Sequence, residues 1–197
     1  LLFSFEKPYF DKEQVSCEFV GHPLLESKKN DMIDINQLVR RNKALISIFA
    51  GSRVTEINVL MPILLNFIKL MANKYNDITF VFHSTREHSE LIKSYFKKSS
   101  LTNCEIVSDE KIKLYLLKKS VFAIAKSGTV SLEICNAKIP SIILYKMNFI
   151  NFLIIKLLIK VKFANIINIA ANEQIIPELL QSKCNAKNIY NVVNGFL

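Results

Sequence analysis

Short apolar segments rich in β-branched and aromatic residues alternate along this chain with longer segments whose apolar residues recur at helical spacing. An alternation of strand and helix predicts a parallel sheet, because parallel strands must be joined by crossover segments. We therefore expect an α/β, Rossmann-like domain whose parallel sheet carries helices on both faces. No internal repeat or low-complexity linker interrupts the pattern.

The predicted strands are Cys17–Val20, Ala44–Ala50, Ile78–His83, Cys104–Val107, Val121–Ala125 and Ser141–Leu144. The predicted helices are Thr55–Lys74, Arg86–Lys98, Lys111–Lys118, Val130–Ala137, Asn148–Lys160, Asn172–Gln181 and Ala186–Asn194. Residues 1–30 are expected to form a connection between domains together with the first strand. Residues 31–197 are expected to form the Rossmann-like domain.

Composition excludes several classes of protein. The chain has 197 residues, half of them hydrophobic, so it is not intrinsically disordered. Its apolar runs are cut by Lys or Asn before they approach the roughly 18 residues of a membrane-spanning helix, so an integral membrane protein is not expected. The net charge of +9 comes from 22 Lys and only 4 Arg, without the Arg and aromatic clusters of a nucleic-acid-binding face.

The cysteines and acidic residues predict no metal site. The four cysteines lie far apart without a Cys-x-x-Cys pair, and we expect them to be reduced in a cytoplasmic protein. No Asp-x-Asp pair is present, so neither a metal ion nor a cofactor is expected. Because the sequence opens at Leu1 instead of Met, we expect it to be a piece of a longer chain.

Two glycine loops each follow a predicted strand and precede a predicted helix. In the first loop, Gly51, Ser52 and Arg53 combine backbone N–H groups at a helix N-terminus with a guanidinium, which suits a phosphate. The spacing matches neither a P-loop nor a dinucleotide fingerprint. The alternative is that Arg53 is a surface residue paired with Glu56 three positions later. Gly51 itself is expected where a positive φ or a close approach excludes a side chain.

The second loop contains Ser127, Gly128 and Thr129, with Glu133 one turn into the following helix. The same backbone requirement is expected of Gly128, which would let an anion approach, while the two hydroxyls could cap the helix. The Glu133 carboxylate could accept hydrogen bonds from a vicinal diol such as a ribose. The alternative is that these residues only cap the helix and complement its dipole.

Other motifs are weaker. His22 follows Gly21 and could contact a phosphate or a sugar hydroxyl, although a turn residue is the alternative. His83 and His88 have no carboxylate at metal-ligand spacing and are given no role. Lysines interrupt the apolar residues of 146–162, which is typical of a helix at an anionic membrane surface or of a core helix whose lysines extend to solvent. Further along, Asn168 is expected in a loop and Glu178 on a helix.

Taken in order, these stretches resemble lipid-A-disaccharide synthase, a glycosyltransferase family of the GT-B type. The family is about twice as long as this sequence, which therefore resembles its C-terminal, donor-binding half, with the acceptor half absent. The resemblance is carried by Phe19–Leu24, Gly51–Ile57, Ser127–Glu133, Pro140–Lys146 and Asn165–Gln181.

The resemblance implies inverting transfer of 2,3-diacylglucosamine from its UDP form to 2,3-diacylglucosamine 1-phosphate. It implies that the first glycine loop holds the pyrophosphate, that the second loop forms another anion-binding turn, that Glu133 takes the ribose hydroxyls, and that Asn168 lies beside the nucleotide. His22, Glu56 and Glu178 are further candidates for donor contacts.

The resemblance also implies partners and a location. The partners are the UDP-sugar donor, the lipid acceptor, the acceptor half of the enzyme and an anionic membrane surface. The location is the cytoplasmic side of the inner membrane of a Gram-negative bacterium. The catalytic base would belong to the acceptor half. Two alternatives stay open: a non-catalytic remnant that at most binds UDP, and an unrelated Rossmann-like enzyme.

Overall fold

The computed structural model describes residues 1–23, 44–147 and 162–197. Its centre is a six-stranded, fully parallel sheet in the order β3-β2-β1-β4-β5-β6. This is the doubly wound order in which β1 and β4 are neighbours and their outgoing loops diverge. The strands are β1 Ala44–Phe49, β2 Ile78–His83, β3 Cys104–Val107, β4 Phe122–Lys126, β5 Ser141–Tyr145 and β6 Glu178–Leu180.

The connecting segments supply the helices. A 3₁₀ turn at Ser4–Glu6 leads into the first helix, and a second 3₁₀ turn at Gln181–Lys183 precedes the last. The helices are α1 Lys7–Lys12, α2 Val54–Ala72, α3 Arg86–Ser99, α4 Glu110–Lys119, α5 Val130–Asn136, α6 Ile166–Ala171 and α7 Ala186–Phe196.

Two hydrophobic layers show that helices cover both faces of the sheet. Side chains that alternate along a strand point to opposite faces. Ile46 and Ile48 of β1 accordingly join a core formed with α2, α3 and α7. Leu45 and Phe49 of the same strand pack on the other face, in clusters that include residues of α4 and α5. The α/β, Rossmann-like architecture expected from the sequence is thus confirmed.

Helix α2 has the length and apolar composition of a membrane-spanning helix. Its buried residues, however, pack against the sheet, as the central helix of an α/β core does. Helix α7 packs beside α2. The residues just after α2 are also joined to α7 through Asn194, whose Oδ1 accepts hydrogen bonds from Lys74 Nζ at 2.6 Å and from Tyr75 Oη at 3.0 Å.

The prediction of a strand at Cys17–Val20 is wrong. These residues form no regular element. Phe19 is 55% exposed and Val20 is 75% exposed, because the segment lies beside Leu1 and is not part of the sheet. The Val20 N–H donates to the Leu1 oxygen at 3.0 Å, and the Leu1 amino group donates to the Glu18 oxygen at 2.6 Å.

The prediction of a helix at Asn172–Gln181 is also wrong. The helix lies earlier, as α6, and it ends at Asn172, which adopts a left-handed conformation with φ of 52°. The chain then enters β6, which pairs with β5 at the sheet edge. Asn168 is therefore on a helix and not in a loop, and Glu178 is on a strand and not on a helix, so both predictions are wrong. The predicted helix Asn148–Lys160 lies outside the described residues.

Candidate active site

A cavity of about 360 Å³ opens at the carboxyl ends of the central strands. Its volume is within the range of small-ligand sites. Both glycine loops line it, because one follows β1, the other follows β4, and these strands are adjacent. The predicted site residues that the structure brings together here are Gly51, Ser52, Arg53, Glu56, Ser127, Gly128, Thr129 and Glu133.

The first loop requires glycine at its corner. Gly51 has φ of +119°, in the left-handed region, and a Cβ there would lie 2.7 Å from both Cβ and Oε2 of Glu56. His88 of α3 contacts the same loop, with its Nε2 3.0 Å from the Ser52 carbonyl oxygen. The Arg53 side chain stays 79% exposed at the cavity mouth, 3.8 Å from Glu56, so the expected pairing at i+3 is present but loose.

Glu56 connects the two loops. Its Oε2 accepts the Ser52 backbone N–H at 3.0 Å, and its Oε1 lies 2.8 Å from Lys126 Nζ at the end of β4. Burial by itself would raise the pKa of Glu56. Hydrogen bonds from Lys126 and Ser52, together with the charges of Lys126 and Arg53, outweigh burial and hold that pKa below its ordinary value. An ionised carboxylate thus occupies one N–H donor of the first loop.

The second loop differs from its prediction in detail. Gly128 does not adopt a positive φ, and the closest atom to a Cβ at this position is the Lys126 oxygen at 4.0 Å. Thr129 stands at the N-cap position of α5 but makes no side-chain capping bond. Ser127 Oγ donates instead to the Ala164 oxygen at 2.7 Å. The two hydroxyls therefore do not cap the helix.

Glu133 lines the cavity and is held by a lysine. Lys113 Nζ of α4 is 3.4 Å from Glu133 Oε2 and 3.2 Å from Glu110 Oε2. Its ammonium also lies 5.9 Å from the centre of the Phe49 ring, within cation–π range. The Glu133 carboxylate therefore makes an ion pair across helices, and a capping role does not account for it.

Three predicted residues are absent from the described lining of the cavity: His22, Asn168 and Glu178. The His22 ring lies 5.4 Å from the ring of Phe3. Asn168 is fully buried, and its amide makes four hydrogen bonds, to Ile175, Ile176 and Glu178. Both amide hydrogens and the oxygen are thereby used, so within the described residues the side chain serves the fold.

Glu178 links this buried network to the second loop. Its carboxylate accepts the backbone N–H of Ala164 at 2.9 Å and that of Asn165 at 3.0 Å. Ala164 in turn accepts the hydroxyl of Ser127. Glu178 and Asn168 therefore fix the segment against which the second loop rests, at one remove from the cavity.

Sequence reasoning missed the cavity residues that belong to neither glycine loop. They come from the ends of β1 and β2, the start of α3, and α4. His83, which was given no role, is one of them. The sequence indicated them only by their position at or after the end of a strand next to the loops, or on the helix α4. Apart from Lys126 and Val130, which flank the second loop, these residues are Phe49, His83, Ser84, Thr85, Glu110 and Lys113.

Among the described residues, no group of three His, Cys, Asp or Glu side chains is arranged to hold a metal ion. The cavity is lined by three cations and three carboxylates, with backbone N–H groups at two loop corners. Such a surface suits a ligand with both anionic and hydroxyl groups. The charged residues are Arg53, Lys113, Lys126, Glu56, Glu110 and Glu133.

Solved structures share this fold. A UDP complex of MnaA from S. aureus superposes with a TM-score of 0.59 at 17% identity, over 96% of this chain and 52% of that one. The ADP-heptose LPS heptosyltransferase II of E. coli superposes with a TM-score of 0.57 at 8% identity, over 100% of this chain and 52% of that one. At such identities the likeness shows the fold alone.

Sequence comparison goes further. The lipid-A-disaccharide synthase of Rickettsia prowazekii is 35% identical over 199 residues, which cover 100% of this chain and 52% of the relative. The enzyme of Rickettsia akari is 32% identical over 200 residues and is covered to 50%. The chain thus spans about half the length of the curated relatives it matches. The family model described as lipid-A-disaccharide synthetase matches residues 1–194. The chain belongs to the lipid-A-disaccharide synthetase family.

Proposed function

We propose that this chain is the donor-binding half of a lipid-A-disaccharide synthase and that its cavity binds UDP-2,3-diacylglucosamine. The observation that carries the proposal is that the two glycine loops line one cavity although their glycines, Gly51 and Gly128, are 77 positions apart in sequence. Family membership supports the reaction that we propose, which is transfer of the diacylglucosamine to 2,3-diacylglucosamine 1-phosphate with inversion. The UDP complex of a protein with this fold supports the choice of nucleotide.

The pyrophosphate would lie at the mouth between Arg53 and the two loop corners. Arg53 is the most exposed of the three cavity cations, at 79% of its side chain against 17% for Lys113 and 21% for Lys126. The two lysines also lie closer to carboxylates than Arg53 does. Helix α2 starts at Val54, so its N-terminal N–H groups add partial positive charge there. Glu133 would receive a ribose hydroxyl, because a carboxylate oxygen accepts such a bond.

The chemistry asked of this half is stabilisation of the leaving group. As the sugar C1–O bond breaks, negative charge grows on UDP. Fixed N–H groups and the Arg53 guanidinium stabilise that charge without the reorganisation that water requires. Loss of one such contact typically lowers a rate by about 10²–10³. The base that deprotonates the acceptor hydroxyl would come from the acceptor half.

The experiment is titration calorimetry with UDP. We expect Arg53→Ala to weaken UDP binding by about tenfold to a hundredfold, because it removes a charged hydrogen bond to phosphate. The melting temperature should hardly change, since the side chain is 79% exposed. Arg86→Ala is the matched control: it removes the same charge from an exposed position at the start of α3, outside the described cavity lining.

A folded chain that binds no UDP would contradict the proposal. Equal losses for Arg53→Ala and Arg86→Ala would contradict the role of Arg53. If UDP binds, a second experiment separates the enzyme from a non-catalytic remnant: the acceptor half is supplied as a separate chain and disaccharide formation is assayed. No product under those conditions would favour the remnant.

We also propose that the protein acts at the cytoplasmic face of the inner membrane, where both of its lipid substrates would be found. The proposal rests on the family and on the lysine-rich stretch 146–162, most of which lies outside the described residues. Cosedimentation with vesicles tests it. Binding to vesicles that contain anionic lipid, and none to neutral ones, is expected. Absence of binding to either kind of vesicle would contradict it.

A further inference from the structure

The wall of the cavity contains a buried histidine with an unused acceptor. His83 ends β2, lines the cavity and is 4% exposed. Its ring stacks on Phe49, with centroids 4.4 Å apart and planes at 9°. Nδ1 of His83 has no hydrogen-bond partner among the described residues. A buried polar atom without a partner destabilises a fold, so it calls for a physical explanation.

A chain of hydroxyls fixes which ring nitrogen carries the proton. Ser120 Oγ donates to the Leu116 oxygen at 2.9 Å. Having used its single hydrogen, Ser120 must accept from Ser47 Oγ, 2.7 Å away. Ser47 has then used its own hydrogen, so it accepts from His83 Nε2 at 2.8 Å. The proton of His83 is therefore on Nε2, and Nδ1 carries only a lone pair.

The ring is also neutral. Burial, and to a smaller extent the charge of Lys113, lowers the pKa of His83 to about 3. A neutral ring protonated on Nε2 has no hydrogen to offer from Nδ1. It cannot donate to a phosphate oxygen, and its lone pair repels one. A matching ligand group must itself bring an O–H or N–H.

We propose that Nδ1 of His83 accepts a hydrogen bond from a neutral O–H or N–H donor on the nucleoside part of the bound nucleotide, and that it is a specificity-determining contact. The inference rests on the proposed function, which places UDP in this cavity. Ionised phosphate oxygens are excluded from the contact, and Arg53 and the glycine loops serve them instead. The donor is a ribose hydroxyl or the N–H of the uracil ring.

The first test compares UDP with inorganic pyrophosphate as calorimetric ligands. His83→Phe keeps a flat ring against Phe49 and removes the acceptor. We expect it to weaken UDP binding about fivefold to twentyfold and to leave pyrophosphate binding unchanged. Equal losses for the two ligands would show a merely structural role and overturn the proposal. Unchanged UDP binding would overturn it as well.

A second test reads the ring directly by ¹⁵N NMR. Free protein should show a protonated Nε2 and a bare Nδ1 in His83, and saturating UDP should shift the Nδ1 resonance. Ser120→Ala frees the Ser47 hydroxyl to donate to Nε2, which permits the other tautomer. We expect this variant to show Nδ1–H and weaker UDP binding, with pyrophosphate binding intact. A proton found on Nδ1 in the unaltered protein, or an Nδ1 signal indifferent to UDP, would overturn the proposal.

Comparing UDP with 2′-deoxy-UDP shows whether the 2′-hydroxyl is the donor. If the 2′-hydroxyl is the donor, His83→Phe should leave the affinity for 2′-deoxy-UDP unchanged. If the donor is the 3′-hydroxyl or the uracil N–H, His83→Phe should weaken the binding of both ligands equally. A folded, unaltered chain that binds neither UDP nor pyrophosphate contradicts the proposed function, and this inference with it. Binding of UDP without any response at His83 contradicts this inference alone.

Discussion

The buried imidazole of His83 should make the stability of the protein depend on pH. In the folded protein its pKa is lowered to about 3 from an ordinary value of 6.5. Between these values the unfolded chain binds a proton that the folded chain does not, so stability falls as pH decreases from 6.5 toward 3. At pH 4 this titration lowers the free energy of unfolding by about 3 kcal/mol relative to neutral pH, from about 1.4 kcal/mol per pH unit over roughly 2.5 units.

The assay is urea unfolding followed by circular dichroism at half-unit steps from pH 7 to pH 4. His83→Phe removes the titrating group, so the gap between the free energies of unfolding of the two proteins should change by about 3 kcal/mol across this range. All other titrating groups are common to both proteins and cancel in that difference. Phe49→Leu is the control, since it disturbs the neighbouring ring but keeps the imidazole and should retain the pH dependence. Parallel curves for the unaltered protein and His83→Phe would refute the reasoning.

Two further predictions concern stability measured by the same unfolding assay. Gly51→Ala should destabilise the fold by about 1–3 kcal/mol, because φ is +119° and the new Cβ would meet Glu56 at 2.7 Å; Gly195→Ala, in α7 with open space around it, should cost nothing or stabilise slightly. Asn168→Ala should destabilise by about 2–4 kcal/mol, because it leaves the N–H groups of Ile175 and Ile176 unpaired, whereas Asn188→Ala should change stability by less than about 1 kcal/mol. Comparable losses within either pair of variants would contradict the corresponding argument.

The strands of the sheet interior were predictable because burial on both faces makes them continuous apolar runs. The bounds of β2 and β3 agree with the prediction residue for residue, and β1, β4 and β5 agree to within one residue at each end. The edge strand β6 was not predictable in the same way. It has three residues, half-buried, and its position follows from the Asn168–Glu178 network, in which partners ten residues apart meet through side-chain bonds.

In the candidate site, too, local features were predictable from the sequence and contacts between distant segments were not. The loop motifs were visible because each is local: a strand end, a glycine and a helix start. That the loops share one cavity was predictable too, since it follows from parallel topology. The contributions of His83 and Lys113 were not, because they depend on neighbouring strands and on a helix reaching across to Glu133. Periodicity along a chain carries no information about contacts of that kind.

The packing of α7 on α2 has a consequence for synthesis. Helix α2 is complete by residue 72, but part of its cover comes from residues 186–196. In a nascent chain on the ribosome, the surface of α2 that α7 covers therefore stays exposed while more than a hundred further residues are translated. At roughly 5–20 residues per second that wait lasts at least several seconds. During that interval we expect holdase chaperones to bind the exposed apolar surface of α2.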